Sequence, residues 1–102
     1  MLESNTVRFA AGDAVKVREA YPIGHVRTPF YARGKSGVVE RLCGIFPNPE
    51  ERAYARPGLP AQPLYRVRFR QRDVWPDYSG QAFDVLEVEI YQHWLEAGER
   101  DR

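Results

Sequence analysis

The chain has 102 residues, of which 43% are hydrophobic and 28% are charged, and its formal net charge is +1 at pH 7. This length suits one domain with a radius of gyration of about 13 Å and one modest core. The composition excludes wholesale disorder, and the balanced charge gives no basis for binding a polyanion through bulk electrostatics. No apolar run approaches the roughly 18 residues of a membrane span.

The ends of the chain carry few ordering signals. The first five residues include an acid, Glu3, and no apolar segment, so we expect no secretory signal and a cytoplasmic location. Cys43 is the only cysteine, which excludes an internal disulfide and fits a reducing compartment. We predict a loose N-terminal arm over residues 1–10, one domain over residues 11–96, and a frayed tail over residues 97–102.

Alternation of apolar and polar residues predicts the first strands. Ala14–Arg18 follows this two-residue period after a turn at Gly12-Asp13. Gly37–Phe46 is rich in Val, Leu, Ile and Phe and predicts a second, longer strand. Leu64–Arg70 is the clearest strand, because its apolar residues share one face and its arginines the other. For residues 20–34, which connect the first strand to the second, we predict an ordered loop with one helical turn near Phe30.

The second half of the chain mixes turns with one more strand. Arg72–Pro76 predicts a short helical turn that the proline ends. Phe83–Ile90 predicts a strand, and its apolar residues change parity after Val85, which indicates a bulge. Tyr91–Leu95 predicts a final turn.

Five prolines and one glycine mark residues 47–63 as a long surface loop rather than a paired strand. Long loops in compact domains are often functional. Four or five short, bent strands without a long helix predict an all-β fold. We therefore expect a small SH3-like barrel of about five strands, with short helical turns and a long Pro-rich loop.

Catalysis by this chain alone is not expected. His25 and His93 are the only side chains that titrate near neutrality without help, and for each we favour a structural or surface role. Cys43 lies within a predicted strand and is expected to be a small buried hydrophobe. The sequence contains no Gly-rich phosphate loop, no HExxH motif and no GxSxG motif.

Two features stand out from this background, and the first is a row of arginines. The row, with its aromatic neighbours, consists of Arg66, Arg68, Arg70 and Arg72 with Tyr65, Trp75 and Tyr78. Such a row is able to track a nucleic-acid backbone, and the glycine turns at Gly12-Asp13 and Gly34-Lys35 resemble those of KOW-type ribosome-associated barrels. The interpretation that we favour is a solvated or partner-covered outer face.

The second feature is the segment Gly24–Gly37, which reads GHVRTPFYARGKSG. Pro22 and Pro29 rigidify it, and it presents His25, Arg27, Tyr31 and Arg33 within nine residues. Ordered polar groups on a loop suit a binding surface, and they equally suit a network that braces the loop on the barrel.

This segment resembles a motif of the C-terminal half of the nitrile hydratase β subunit. The resemblance extends over about residues 8–96 and includes Pro63–Phe69, Val74-Trp75 and Val88–Glu96. In the last of these segments the two aromatic residues are interchanged, and Gln92 stands where the family usually has an acid.

The resemblance implies an SH3-like fold and a role in a metalloenzyme. In that family Co(III) or Fe(III) is held by the α subunit, through cysteines of which two are oxidised, and this chain would bind no metal itself. Arg27 would donate hydrogen bonds from the interface to the oxidised cysteines of the partner. His25, Tyr31 and Arg33 would fix the loop and line the seam.

The helical N-terminal half of a full β subunit is missing here, which resembles the split arrangement of thiocyanate hydrolase and of some three-subunit nitrile hydratases. The expected partners are an α-type metal-binding subunit and a separate chain for the N-terminal half. The expected reaction is hydration of a nitrile to an amide, or thiocyanate hydrolysis. Two alternatives stay open: an escort protein for metal loading of the α-type subunit, and a KOW-like RNA-binding barrel. No membrane partner is expected.

Overall fold

The computed structural model describes residues 6–20, 28–47 and 61–99. These residues form five antiparallel strands and three short helices, which confirms the all-β prediction. The elements in chain order are β1 (Ala14–Val17), a first 3-10 helix (Phe30–Ala32), β2 (Ser36–Phe46), β3 (Gln62–Arg70), α1 (Gln71–Val74), β4 (Val85–Tyr91), a second 3-10 helix (Gln92–Trp94) and β5 (Leu95–Ala97). In the described ranges, no helix is long and apolar enough to cross a membrane.

The strands form one sheet in the order β4-β3-β2-β1-β5. Strand β1 lies between β2 and β5, so the first and last strands along the chain pair with each other. This order of short strands around one core agrees with a small SH3-like domain. The described residues form no β4–β5 ladder that would close the sheet into a complete cylinder.

The core forms on the inward face of the strands, and β3 shows why. Tyr65 and Val67 have no exposed surface and Phe69 is 1% exposed, whereas the alternating arginines lie on the other face. Burial of these apolar side chains provides most of the driving force for folding. Inward residues of the remaining elements complete the cluster: Phe9, Val15, Val17, Ala32, Val39, Val74, Ile90, Trp94 and Leu95.

The predicted bulge in the fourth strand is wrong. The β3–β4 register is regular from Leu64 opposite Tyr91 to Arg70 opposite Val85. The strand begins at Val85, and Phe83 precedes it with 76% of its surface exposed. The change of parity therefore marks the end of a turn. The register shifts lie in β2 instead, where they bend the longest strand.

The described part of the N-terminal arm is bound to the domain rather than loose. The backbone N–H groups of Arg8 and Phe9 each donate to the Tyr65 hydroxyl over 3.2 Å. Gln92 Nε2 donates to the Thr6 carbonyl over 2.8 Å, and Gln92 Oε1 accepts from both Arg8 N–H and the Tyr65 hydroxyl. The Phe9 ring packs edge-on against Tyr65, with centroids 5.7 Å apart. The arm thus contributes a side chain to the core.

Gln92→Glu should lower the free energy of unfolding by about 2 kcal/mol at neutral pH, because the new carboxylate would face the Thr6 carbonyl without a proton to donate. The fold disfavours this buried charge and raises the pKa of the new group above its usual value of about 4.3. The loss should therefore be small near pH 4 and grow as the pH rises. Urea unfolding at both pH values measures it, and an equal loss at both would contradict the arrangement.

The tail is ordered further than predicted. Ala97 belongs to β5 and pairs with Val15, and the Gly98 N–H donates to the Ala14 carbonyl over 2.9 Å. The expected fraying is thus wrong at these two residues. The last three residues, and most of the Pro-rich loop, lie outside the described ranges. The helical turns predicted near Phe30 and after β3 are confirmed, and the final turn predicted after β4 is a short 3-10 helix.

Candidate functional site

The four predicted site residues fall into two groups. His25 and Arg27 lie outside the described residues, so their roles stay predictions. Tyr31 and Arg33 lie in and directly after the first 3-10 helix. The structure places Arg33 against Ala20 and Thr28, the described residues that flank residues 21–27.

Arg33 links the two residues that flank this segment. Its Nε and Nη2 atoms donate to the Thr28 carbonyl over 3.1 and 2.7 Å. Its Nη1 atom donates to the Ala20 carbonyl over 3.1 Å. Only 6% of Arg33 is exposed, so these bonds are shielded from competing water. One planar guanidinium, with its fixed fork of donors, therefore holds Ala20 and Thr28 in place relative to each other.

Two aromatic rings contact the same guanidinium. The Cζ atom of Arg33 lies 4.3 Å from the Phe30 ring centroid and 4.9 Å from the Trp94 ring centroid. Both distances are within the range of a cation–π interaction, which strengthens when the cation is desolvated. We name Arg33, Ala20, Thr28, Phe30 and Trp94 the Arg33 clamp.

The local sequence directs the Arg33 side chain to this position. Pro29, with φ −66°, precedes the 3-10 helix, and its carbonyl accepts the Ala32 N–H over 3.1 Å. Gly34 then adopts φ +79°, a left-handed conformation that favours glycine. Its N–H donates to the Val17 carbonyl over 2.9 Å, which fixes the turn on β1. The left-handed conformation of this turn therefore explains why a glycine stands between Arg33 and Lys35.

Tyr31 is not part of the Arg33 clamp. It is 38% exposed, and its ring packs on Trp75 with centroids 5.2 Å apart. The Trp75 indole N–H donates to Gln71 Oε1 over 2.7 Å, so the indole is fixed within the chain. Sequence reasoning did not predict this aromatic pair, because Tyr31 and Trp75 are distant along the chain.

A shallow open cleft of about 520 Å³ includes Tyr31 in its lining. It is lined by Pro29, Tyr31, Arg66, Glu87, Val88 and Glu89. Its charged wall contains an ion pair in which Arg66 Nη2 lies 3.2 Å from Glu89 Oε2. The hydrogen bond to Glu89 raises the pKa of Arg66 further, so this side chain stays charged at any physiological pH.

The arginine row is largely neutralised within the chain. Arg66 pairs with Glu89, Arg68 Nη2 lies 2.8 Å from Glu87 Oε2, and Arg70 Nε lies 2.9 Å from Asp73 Oδ2. The acids come from β4 and α1, and β3 alone does not reveal them. A row paired in this way has little net field with which to track a phosphate backbone, which favours the outer-face interpretation.

The described ranges contain no cluster of three or more His, Cys, Asp or Glu side chains that could hold a metal ion. Cys43 is a free thiol and is half-buried, not fully buried as expected. This part of the chain therefore does not fit a transition-metal centre, which needs three or four converging ligands.

The family model for the C-terminal part of the nitrile hydratase beta subunit matches residues 2–97. The chain belongs to this family. It is 37% identical over 89 residues to the nitrile hydratase subunit beta of Pseudomonas chlororaphis, a match that covers 86% of this chain and 40% of that protein. It is 34% identical over 90 residues to the thiocyanate hydrolase subunit alpha of Thiobacillus thioparus, covering 87% of this chain and 71% of that protein.

Similarity of structure within the family agrees with similarity of sequence. A solved recombinant apo-enzyme of thiocyanate hydrolase from Thiobacillus thioparus superimposes with a TM-score of 0.86 at 32% identity. The match covers 94% of this chain and 81% of that chain. A cobalt-containing nitrile hydratase subunit beta of Pseudonocardia thermophila is 35% identical over 68 residues, covering 67% of this chain and 29% of that protein. The chain spans about two fifths of the Pseudomonas chlororaphis β subunit.

Proposed function

We propose that this chain is a small β-type subunit of a nitrile hydratase-family metalloenzyme and that it caps the metal site of an α-type subunit. The carrying observation is the family match over residues 2–97, together with 71% coverage of a thiocyanate hydrolase subunit. The reaction is hydration of a nitrile to an amide or hydrolysis of thiocyanate. The remaining part of a full β subunit would come from a separate chain.

The metal would be cobalt or iron on the α-type partner. The named cobalt-containing relative supports such a metal in the assembled enzyme, and the described residues of this chain do not fit a centre of their own. When bound in the partner, such an ion acts as a Lewis acid and activates water. This chain would contribute fixed positive charge and hydrogen-bond donors. A cytoplasmic location fits the single free thiol.

Arg27 is the proposed donor to the oxidised cysteines of the partner. An anionic oxygen buried at an interface needs a partner that stays charged and offers several fixed donors, which describes arginine better than lysine. The Arg33 clamp supports this role, because it fixes Ala20 and Thr28 on either side of the segment that carries Arg27. His25 and Tyr31 would line the same seam.

Co-purification tests the subunit against the escort protein. The tagged chain, co-expressed with an α-type metal-binding chain and an N-terminal-half chain, should elute with both at fixed stoichiometry after the metal is loaded. That complex should turn over a nitrile or thiocyanate, whereas the separate chain should turn over neither. Loss of this chain from the metal-loaded complex, with activity retained, would show an escort protein and overturn the proposal.

A further inference from the structure

Within the Arg33 clamp, the buried indole of Trp94 packs against the guanidinium of Arg33. Trp94 lies in the second 3-10 helix and is 2% exposed. Its ring centroid is 4.9 Å from the guanidinium carbon of Arg33, which donates to the carbonyls of Ala20 and Thr28. A series of contacts therefore runs from the closing turn of the domain to Ala20 and Thr28.

The backbone that carries the buried indole is held on β1 and the residues that follow it. The Arg18 N–H donates to the Trp94 carbonyl over 2.9 Å, and Arg18 Nη1 donates to the His93 carbonyl over 3.1 Å. Leu95 follows directly and pairs with Val17 of β1. Because β1 leads through Arg18 to Ala20, the closing turn and one end of the segment belong to the same hydrogen-bonded unit. Trp94 is thus a fixed support and not merely a filler of the core.

A planar cation on a fixed ring face has a restricted tilt. The donors of the Arg33 guanidinium are coplanar. Its hydrogen bonds to Ala20 and Thr28 are therefore made together in only one orientation of that plane. Removal of the indole face would permit the fork to rotate and the two carbonyls to separate. A displacement of about 1 Å in a positioning group is enough to reduce a reaction rate substantially.

We propose that Trp94 is a positioning residue for the reaction of the assembled enzyme. Through Arg33 it sets the spacing and orientation of Ala20 and Thr28, and with them the segment that carries Arg27. The consequence for catalysis rests on the proposed function, in which Arg27 donates to the partner. The consequence for the ends of the segment depends on this chain alone.

Trp94→Leu and Trp94→Phe test the proposal, because only the second retains an aromatic face. In the full chain, amide exchange of Ala32 and Arg33, whose N–H groups hydrogen-bond within the turn next to Thr28, should become about tenfold faster in Trp94→Leu and change little in Trp94→Phe. In the metal-loaded complex, kcat should fall about tenfold in Trp94→Leu with KM nearly unchanged, and Trp94→Phe should recover most of it.

Arg8→Met is the matched control. It removes a guanidinium that lies 4.9 Å from the Phe9 ring centroid, and it alters neither a contact of Trp94 nor a donor to Ala20 or Thr28. It should leave amide exchange of Ala32 and Arg33, and kcat, near the wild-type values. Trp94→Leu that lowers thermal stability but leaves both measurements at wild-type values would overturn the proposal.

The failure of the proposed function gives a different pattern. If Arg27 has no role, replacement of Arg27 leaves kcat unchanged, while amide exchange in Trp94→Leu still reports whether the indole fixes the Arg33 clamp. If Arg27 has its role and the indole has none, replacement of Arg27 lowers kcat and Trp94→Leu does not. The two proposals are therefore tested independently.

Discussion

Arg27→Lys should lower kcat of the assembled, metal-loaded enzyme about a hundredfold, which corresponds to the loss of one charge-assisted donor to a developing or fixed anionic charge. Lysine keeps the positive charge but replaces a planar fork with a single ammonium group. The proposed interface presents oxidised cysteine oxygens at fixed positions, so the loss of directed donors should affect the reaction more than assembly.

Steady-state kinetics on the purified complex, with metal content measured in the same sample, provides the test. Arg72→Lys is a matched control, because Arg72 is an exposed arginine on α1 and belongs to neither the segment nor the clamp. The control should retain wild-type kcat and stoichiometry. An Arg27→Lys enzyme within about twofold of wild-type kcat would remove Arg27 from the mechanism.

Local sequence patterns were sufficient for most of the fold. The alternation in β3 predicted which residues are buried, because a strand places successive side chains on opposite faces. The helical turn after β3 was also predictable from nearby residues, because a proline shortly after α1 ends it. The alternation of apolar residues gave a wrong start for the fourth strand, because Phe83 belongs to the turn before the strand that begins at Val85.

The interactions that build the site could not be predicted in this way. The Tyr65 hydroxyl binds the N-terminal arm, although the apolar period of β3 marks Tyr65 only as a core residue. The acids that pair with Arg66 and Arg68 lie on β4, and their register depends on the whole sheet. The resemblance identified Arg33, but its acceptors are backbone carbonyls of Ala20 and Thr28, which have no signature in a sequence.

Arg33→Met should lower the free energy of unfolding by about 3 kcal/mol, because two carbonyl acceptors lose their Arg33 donors in a site shielded from water. Methionine retains an unbranched stem of similar length, so the loss measures the guanidinium and not a cavity. The cation–π contacts to Phe30 and Trp94 disappear with the charge, which adds to the cost. Arg33→Lys should recover less than half of the loss, because a single ammonium group cannot reproduce the planar fork.

Urea unfolding of Arg33→Met beside Arg68→Met separates the buried guanidinium from arginine loss in general. Arg68 is 49% exposed at its side chain and pairs with Glu87 on the outer face, so its replacement should cost no more than about 1 kcal/mol. Equal losses in the two variants would contradict the clamp. A large loss at Arg33 alone would mean that Ala20 and Thr28, on either side of residues 21–27, are fixed by this domain before any partner binds. The interface would then be organised in advance, with less ordering left to be done on assembly.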